Sequence, residues 1–301
     1  VIGSSDKDRI YPATYPNLYK DISKGQVIYV DKGESQLEVT KIADKKIYCK
    51  VVSGTVIAPG KGMNFPGAKL SNAPITNIDI EQIKFVVEDD WDFIAASFVR
   101  NAEDIEHIRK YTKNSRIKII AKIEDQQGVD NFEEILRAGD GIMIARGDMG
   151  SEMPIERLPI LQKEMIRLCN EAAKPVITAT NMLESMTQKI FPTRAEITDV
   201  ANAVLDGTDA LMTSGETTTG KYPIQTVQTM ARIAEENEQY LIPEIIDSIQ
   251  LEDRFVTDAM TNAAFELALS SGADKVIVMS QTGTTARMIS RYNLPTEIIA
   301  F

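Results

Sequence analysis

The chain has 301 residues, of which 43% are hydrophobic and 26% are charged, a composition typical of a globular protein with a substantial core. Its net charge of −11 argues against nucleic acid as a partner, because such binding depends on Lys and Arg side chains at phosphates. No apolar window of about 18 residues occurs, so no membrane-spanning helix and no membrane partner are expected. The two cysteines, Cys49 and Cys169, match no zinc or redox spacing and are predicted to be reduced core residues.

The single histidine, His107, lies in the polar stretch EDIEHIRKY and is predicted to be a solvated helix residue. A Ser–His–Asp triad or a multi-histidine metal site is therefore not expected. Any acid–base or metal chemistry must come from Lys, Glu, Asp, Ser and Thr. Residues 1–16 have neither a basic nor an apolar leader region, which predicts a cytoplasmic protein.

The first part of the chain predicts a small antiparallel β unit. Residues 22–57 contain three β-branched runs, QVIYVDKG, SQLEVTKIA and KKIYCKVVSGTVI, separated by turn signals. The following segment, Pro59 to Pro74, is rich in Gly, Asn and Pro and is predicted to be a loop.

From about residue 78 a strand, a polar turn and an amphipathic helix alternate five times. The predicted strands cover residues 92–98, 117–124, 141–147, 174–180 and 209–216. Each run is almost wholly apolar, as expected of a parallel strand covered on both faces. The fold class is therefore α/β, with a parallel sheet that is either open or closed into a barrel.

A second α/β unit is predicted after a linker at residues 242–254. It consists of a helix over 254–271, the strand DKVIVMS, the loop TGTT, the helix ARMISRY and the strand EIIAF. The segments MLESM and PTRAEITDVANAVLDG, earlier in the chain, are predicted to be helix starts with good N-caps.

Polar side chains follow every strand of the five-unit repeat, where barrel enzymes carry their chemistry. The residues at these strand ends, all polar except Phe98, are Ser97, Phe98, Arg100, Lys122, Glu124, Asp125, Arg146, Asp148, Thr178, Thr180, Ser214 and Glu216. Apolar strands that all end in charged or hydroxyl residues are poorly explained by solvation alone.

Lys122 and Glu124 are two residues apart on one strand, so they point to the same face. With Asp148 after the next strand, they predict a site for a hard cation such as Mg²⁺, which takes one or two carboxylates plus substrate oxygens. The alternative is a Lys–Glu–Asp ion-pair network with no ligand. Gly147, before a helix, permits close backbone approach to an anion, although that signal is weak alone.

Several motifs together resemble the pyruvate kinase family, in the family's order and over essentially the whole chain. They are KGMNFPG, ASFVR, IIAKIED, IMIARGDMG, ITATNMLESM, PTRAEITDVANAVLDGTDALMTSGETTTGKYP and the TGTT loop. The resemblance implies a (βα)8 TIM barrel, partial in this chain, with an inserted small β-domain and a C-terminal α/β domain. Residues 1–74 would form the β domain with its connections, here called the lid. Residues 75–245 would be barrel strands four to eight, and residues 246–301 the first part of the C-terminal domain.

The same resemblance implies roles for individual residues. Lys122 would neutralise a phosphoryl group in transfer, and Thr180 would stand beside the enolate carbon that is protonated. Glu124 and Asp148 would bind Mg²⁺ or Mn²⁺, and Gly147 with its neighbouring amides would bind the substrate carboxylate. Lys61 would contact nucleotide phosphate, and Ser214 and Glu216 would lie near the site. The effector-phosphate loop would contain Ser280, Thr282, Thr284 and Thr285, for which helix capping is the alternative role.

The implied activity is magnesium- and potassium-dependent phosphoryl transfer between phosphoenolpyruvate and ADP, the last step of glycolysis. The resemblance also implies a homotetramer and, as in regulated members, a sugar-phosphate activator. The K⁺ ligands of the family lie on three barrel strands that would precede this sequence. We therefore expect the 301 residues alone to be poorly soluble and inactive.

Two other functions are compatible with parts of the pattern. A barrel lyase or aldolase could handle an enolate through the same Lys–Glu–Asp magnesium site, but it would not need the KGMNFPG segment. A non-catalytic relative could bind effector or partner subunits, in which case it would bind magnesium without turnover.

Overall fold

The computed structural model describes residues 11–31, 33–54, 57–71, 75–243 and 255–301. Within them the strands form three sheets: a four-stranded sheet in the lid, a five-stranded sheet in the middle of the chain and a two-stranded sheet near its end. The predicted α/β class is confirmed.

The lid is built on an antiparallel sheet. It contains α1 (Leu18–Asp21), β1 (Val27–Val30), β2 (Ser35–Ala43), β3 (Lys46–Ser53) and β4 (Met63–Asn64), with strand order β3-β2-β1-β4. Side chains alternate along β1, where Ile28 and Val30 are buried in the lid's own hydrophobic cluster. The predicted β unit is confirmed, but the segment predicted to be loop contains β4, which pairs antiparallel with β1.

The middle of the chain forms one parallel sheet with helices between its strands. The strands are β5 (Phe93–Ala96), β6 (Lys118–Ile123), β7 (Gly141–Ala145), β8 (Val176–Ala179) and β9 (Ala210–Met212), hydrogen-bonded in that order. The helices are α2 (Asn77–Glu88), α3 (Ala102–Thr112), α4 (Gln126–Asp130), α5 (Phe132–Ala138), α6 (Arg146–Glu152), α7 (Leu158–Glu171), α8 (Arg194–Leu205), α9 (Gly215–Thr218) and α10 (Pro223–Glu238). All five predicted strands are confirmed, and strands that neighbour in sequence also neighbour in the sheet.

The C-terminal domain consists of α11 (Phe255–Ser271), β10 (Lys275–Val278), α12 (Thr284–Ser290) and β11 (Glu297–Ala300). Strands β10 and β11 pair in parallel, and the predicted helices and strands are confirmed; the predicted TGTT loop ends at Gly283, because Thr284 and Thr285 open α12. Residues 244–254, most of the predicted linker, lie outside the described residues.

The predicted strands extend too far at their carboxyl ends. Strand β7 stops at Ala145, and Arg146 opens a helix that includes Gly147 and Asp148. Strand β9 stops at Met212, and Glu216 belongs to α9. The polar residues at these positions therefore leave the sheet, because the chain turns into a helix as soon as the apolar run ends.

The two helix starts predicted from N-capping residues have different outcomes. Thr193 caps α8 and forms a reciprocal capping box with Glu196, as the PTRAE segment predicts. The MLESM segment instead forms a short 3-10 turn, Glu184–Thr187, without a side-chain cap hydrogen bond, so that prediction is wrong.

The main core lies between the parallel sheet and its helices. Ile119, Ile123, Ile142 and Ile144 of the central strands are fully buried there, and each such side chain contributes roughly 1.5–3 kcal/mol of transfer free energy. Cys169 is buried and Cys49 half-buried, both as free thiols. His107 lies half-exposed on α3. Across the described part of the chain, no helix is long and apolar enough to cross a membrane.

Gly141, the first residue of β7, generates the first prediction. A Cβ there would stand 2.7 Å from Ile120 Cδ1 and 2.9 Å from the carbonyl oxygen of Pro175, the residue directly before β8. Gly141→Ala should destabilise the protein by about 1–3 kcal/mol through overpacking. Thermal unfolding measures this, with Gly150→Ala as the control, because a Cβ at Gly150 would meet Leu158 Cδ1 at 3.4 Å and Ile155 Cγ1 at 4.0 Å, both ordinary contact distances. Equal melting temperatures for the two variants would contradict the packing argument.

Candidate active site

The site is built where three adjacent parallel strands end. Strands β6, β7 and β8 run side by side, so the residues that follow them meet at one edge of the sheet. Lys122 lies near the end of β6, Glu124 directly follows it, Gly147 and Asp148 follow β7, and Thr180 follows β8. The topology therefore gathers five of the predicted residues.

Lys122 and Glu124 form a close ion pair. Lys122 Nζ lies 2.7 Å from Glu124 Oε1 and donates a hydrogen bond to Ser97 Oγ at 2.9 Å. The Lys122 side chain is 22% exposed and the Glu124 side chain 2%. Ser97 and Glu124 thus hold the Lys122 ammonium, while the exposed part of the Lys122 side chain remains accessible to a ligand.

The described partners of the buried Glu124 carboxylate are the Lys122 ammonium and one backbone amide. Its Oε2 accepts a hydrogen bond from the backbone N–H of Phe98, a residue in the left-handed region with φ 52°. Burial raises the pKa of Glu124 above its ordinary value, and the negative charge of Asp148 adds to the rise, while Lys122 and the Phe98 N–H oppose it. A buried carboxylate whose ionised form is disfavoured by a neighbouring negative charge is the electrostatic condition that a divalent cation relieves.

The donor set fits magnesium better than a soft transition metal. Among the described residues, no group of three or more His, Cys, Asp and Glu side chains could hold a metal ion. Glu124 and Asp148 offer carboxylate oxygens, the ligand type that Mg²⁺ prefers, and two such ligands would leave the other coordination positions to substrate or water.

The start of α6 is locked to the end of β8. The backbone N–H of Gly147 donates to Thr180 Oγ1 at 2.6 Å, and this hydroxyl donates to the Ala179 carbonyl at 2.6 Å. A Cβ on Gly147 would stand 3.1 Å from Thr180 Oγ1, so a larger residue would push the hydroxyl away. Thr180 (φ 70°) and Asn181 (φ 53°) are both in the left-handed region, which non-glycine residues adopt at a cost that commonly accompanies functional sites.

Arg146 holds this strained turn from outside. Its guanidinium makes a two-pronged pair with Asp199 of α8, with both N–O distances at 2.7 Å, and it donates to the Thr180 carbonyl at 2.8 Å. Bidentate pairs of this kind fix geometry as well as charge. Asp199 was missed in the sequence, because its partner lies 53 positions away and no local pattern connects them.

Ser214 and Glu216 have a different surrounding. The Glu216 side chain is fully buried and accepts backbone N–H groups from Leu183 at 3.2 Å and Ser214 at 2.7 Å. It therefore joins the loops that follow β8 and β9. The Ser214 hydroxyl is buried without a hydrogen-bond partner among the described residues.

The two remaining predicted sites lie on other elements. Lys61, in the lid, pairs with Asp31 at 2.6 Å, and its side chain is 44% exposed. In the C-terminal domain, Thr282 and Thr284 hydroxyls contact each other at 2.8 Å, and the Ser280 N–H donates to the Phe301 carbonyl. Gly283 (φ 75°) occupies the N-cap of α12, where no side-chain cap hydrogen bond forms. Thr285 lies in the first turn, so hydroxyl capping does not account for the cluster.

Comparison with known proteins identifies the family and the fold. A family model described as "Pyruvate kinase, barrel domain" matches residues 2–227, and one described as "Pyruvate kinase, alpha/beta domain" matches residues 258–301. A solved pyruvate kinase from Cryptosporidium parvum superposes with a TM-score of 0.85 at 39% identity, over 95% of this chain and 61% of that one.

Curated relatives give the same result. The pyruvate kinase of Sporosarcina psychrophila is 43% identical over 307 aligned positions, which cover 100% of this chain and 52% of the relative. That of Clostridium perfringens is 42% identical, covering 100% of this chain and 64% of the relative. The chain thus spans between about half and two thirds of the length of these relatives. With both family models matched in order, this chain belongs to the pyruvate kinase family.

Proposed function

We propose that the protein containing this chain is a pyruvate kinase, which transfers a phosphoryl group between phosphoenolpyruvate and ADP to give pyruvate and ATP. The observation that carries the proposal is the Lys122–Glu124 pair, 2.7 Å apart, with the carboxylate buried and Asp148 close enough to raise the pKa of Glu124. A fixed ammonium beside a two-carboxylate metal site is what phosphoryl transfer requires, because its barrier is largely charge.

Lys122 would carry the electrostatic part of the reaction. Ser97 and Glu124 hold its ammonium in place before substrate arrives, so little reorganisation is needed when charge develops on the phosphoryl oxygens. The chemistry that Mg²⁺ supplies when bound is neutralisation of phosphate charge and alignment of the oxygens, with Glu124 and Asp148 as its ligands. Mn²⁺ would fit the same oxygen donors.

Thr180 and Gly147 would serve the enolate side of the substrate. The Thr180 hydroxyl already donates to one carbonyl and accepts the Gly147 N–H, so it is oriented but can exchange partners with a bound ligand. Gly147 N–H would turn to the substrate carboxylate, and Thr180 would pass a proton, directly or through water, to the enolate carbon. Arg146, through Asp199 and the Thr180 carbonyl, would keep this turn in register.

The remaining features of the proposal follow the family. Lys61 of the lid would contact nucleotide phosphate, and K⁺ would act as a second, monovalent cofactor. The protein would work in the cytoplasm as a homotetramer. A sugar-phosphate activator would bind at Ser280, Thr282, Thr284 and Thr285.

A coupled assay tests the function directly. Pyruvate formed from phosphoenolpyruvate, ADP and Mg²⁺ is followed by its reduction in the presence of lactate dehydrogenase, with K⁺ replaced by Na⁺ in a parallel series. Magnesium-dependent pyruvate formation supports the proposal. Absence of turnover by the native protein under all of these conditions would contradict it.

Lys122→Met should lower kcat by a factor on the order of 10³ or more, because it removes the positioned charge while keeping the length of the side chain. Magnesium binding, measured as the rise in melting temperature on adding MgCl₂, should be retained. Lys113, at the C-terminal end of α3, provides a matched Lys→Met control that should keep the parent kcat. A Lys122→Met enzyme with near-parent kcat would remove Lys122 from the mechanism.

Magnesium stabilisation should depend on pH through Glu124. Burial raises the pKa of Glu124 in the folded protein above the value of about 4.3 for an unfolded glutamate. The folded state therefore retains this proton to higher pH than the unfolded state, and the cost of the buried carboxylate appears as pH rises through the folded pKa. Since Mg²⁺ binds the ionised form, the Mg²⁺-induced rise in melting temperature should be full well above that pKa and fade as pH falls through it.

Two variants identify the ligands in the same titration. Glu124→Gln and Asp148→Asn should each reduce the Mg²⁺-induced rise in melting temperature and increase the Mg²⁺ concentration needed for half-maximal activity. The exposed Glu164 provides a Glu→Gln control. If both ligand variants follow the parent curve, the carboxylates belong only to an ion-pair network.

The hydroxyl cluster of the C-terminal domain makes a separate prediction. Replacing Thr282, Thr284 and Thr285 by alanine should abolish activation by a sugar phosphate while leaving activity without activator unchanged, because these side chains do not cap α12. Activation curves at fixed phosphoenolpyruvate concentration measure this, with the sugar phosphate that activates the parent protein. Activation that survives in the triple variant would move the effector site elsewhere.

A further inference from the structure

A single carboxylate joins the lid to the helix that carries the metal-ligand candidate. Glu152 is the last residue of α6. Its Oε1 accepts two hydrogen bonds from the lid, one from Asn64 Nδ2 at 2.9 Å and one from the backbone N–H of Phe65 at 3.3 Å. Both donors lie in the KGMNFPG segment, and Asn64 belongs to β4, so the contact holds the lid sheet itself.

Glu152 and Asp148 lie on the same face of α6. They are four residues apart in one helix, which places their side chains one turn from each other. A displacement of β4 relative to Glu152 is therefore a displacement relative to Asp148. Lys61, three residues before Asn64, moves with the same segment.

The surroundings of Glu152 keep it fixed. Burial raises the pKa of Glu152, and the nearby charges of Asp125 and Arg100 act on it in opposite directions. Arg100 lies 3.4 Å from Asp125 and also donates to the Leu70 carbonyl of the lid at 3.1 Å. Residues 64–70 of the lid are thus held at both ends: near Asn64 by Glu152 and at Leu70 by Arg100.

We propose that Glu152 is a positioning residue for the nucleotide: by binding Asn64 and the Phe65 amide, it fixes the lid segment that carries Lys61 in register with Asp148 of the metal site. The ligand whose binding depends on this register is a nucleoside diphosphate, whose phosphates would span Lys61 and the metal. Phosphoenolpyruvate, held by Lys122, Gly147 and Thr180, depends on barrel residues alone. This inference rests on the proposed kinase function.

Two measurements on the native protein test the proposal. Hydrogen exchange at peptides covering residues 63–70 reports the contact without turnover, and steady-state kinetics reports its use. Glu152→Ala should speed exchange of the Phe65 amide by about tenfold or more, since the amide loses its acceptor. The same variant should raise KM for ADP by about tenfold, the loss expected of hydrogen bonds to a charged group, with KM for phosphoenolpyruvate within about twofold of the parent.

Conservative and matched variants separate positioning from folding. Glu152→Gln keeps an acceptor oxygen and should restore most of the exchange protection and the ADP affinity. Asn64→Ala should raise KM for ADP in the same direction, and combining it with Glu152→Ala should add little, because both remove one contact. Glu156→Ala, at an exposed position just beyond α6, should behave like the parent.

Each outcome decides the question. Unchanged exchange at residues 63–70 in Glu152→Ala would overturn the contact, and faster exchange with an unchanged KM for ADP would overturn its role in nucleotide binding. Equal increases in KM for both substrates would also overturn it, since the effect would then be general. If the parent protein formed no pyruvate, the proposed function would fail, while the exchange experiment and equilibrium binding of ADP with Mg²⁺ would still decide the role of Glu152.

Discussion

The burial of the Glu124 carboxylate is the constraint on which the arrangement of the site depends. Removing a carboxylate from water costs several kcal/mol unless partners replace the lost hydration. The described partners are the Lys122 ammonium and the Phe98 amide, and they do not offset the burial fully, because the pKa of Glu124 remains raised. The native state thus carries a charge that a bound cation would stabilise, so magnesium binding at the proposed site would be coupled to folding.

The parallel sheet makes that constraint possible. Adjacent parallel strands end at the same edge, so residues far apart in sequence meet there without long loops. Lys122 and Thr180 are brought together by β6, β7 and β8, three strands whose apolar residues form a continuous buried core. The strained turn at Thr180 is retained because Arg146 and the Gly147 amide both bind it. The rigid sheet is therefore what keeps polar and strained groups in place.

Local sequence patterns predicted much of this structure, and the reasons they failed elsewhere are physical. The five strands are apolar runs bounded by polar turns. The shared orientation of Lys122 and Glu124 follows from the two-residue period of a strand. Both features can therefore be predicted from a few neighbouring positions. Strand ends were extended too far because Arg146 and Asp148 could equally follow a strand or open a helix. Strand β4 was missed because its two residues are strand only through pairing with β1. The Arg146–Asp199 and Asn64–Glu152 contacts join distant segments, which no local periodicity encodes.

The seven residues of α6 include three that the proposed site uses, namely Gly147, Asp148 and Glu152. Its first turn presents the Gly147 amide and Asp148 towards the ends of the strands, and its last residue, Glu152, reaches the lid. A helix this short has little stability of its own, so its position must come from contacts at both ends. The first turn is held by Thr180, and Arg146 is held by Asp199; the last residue is held by Asn64 and Phe65. Because the same helix is bound by the sheet and by the lid, a change in lid position would act on Asp148, the proposed metal ligand, through α6 alone.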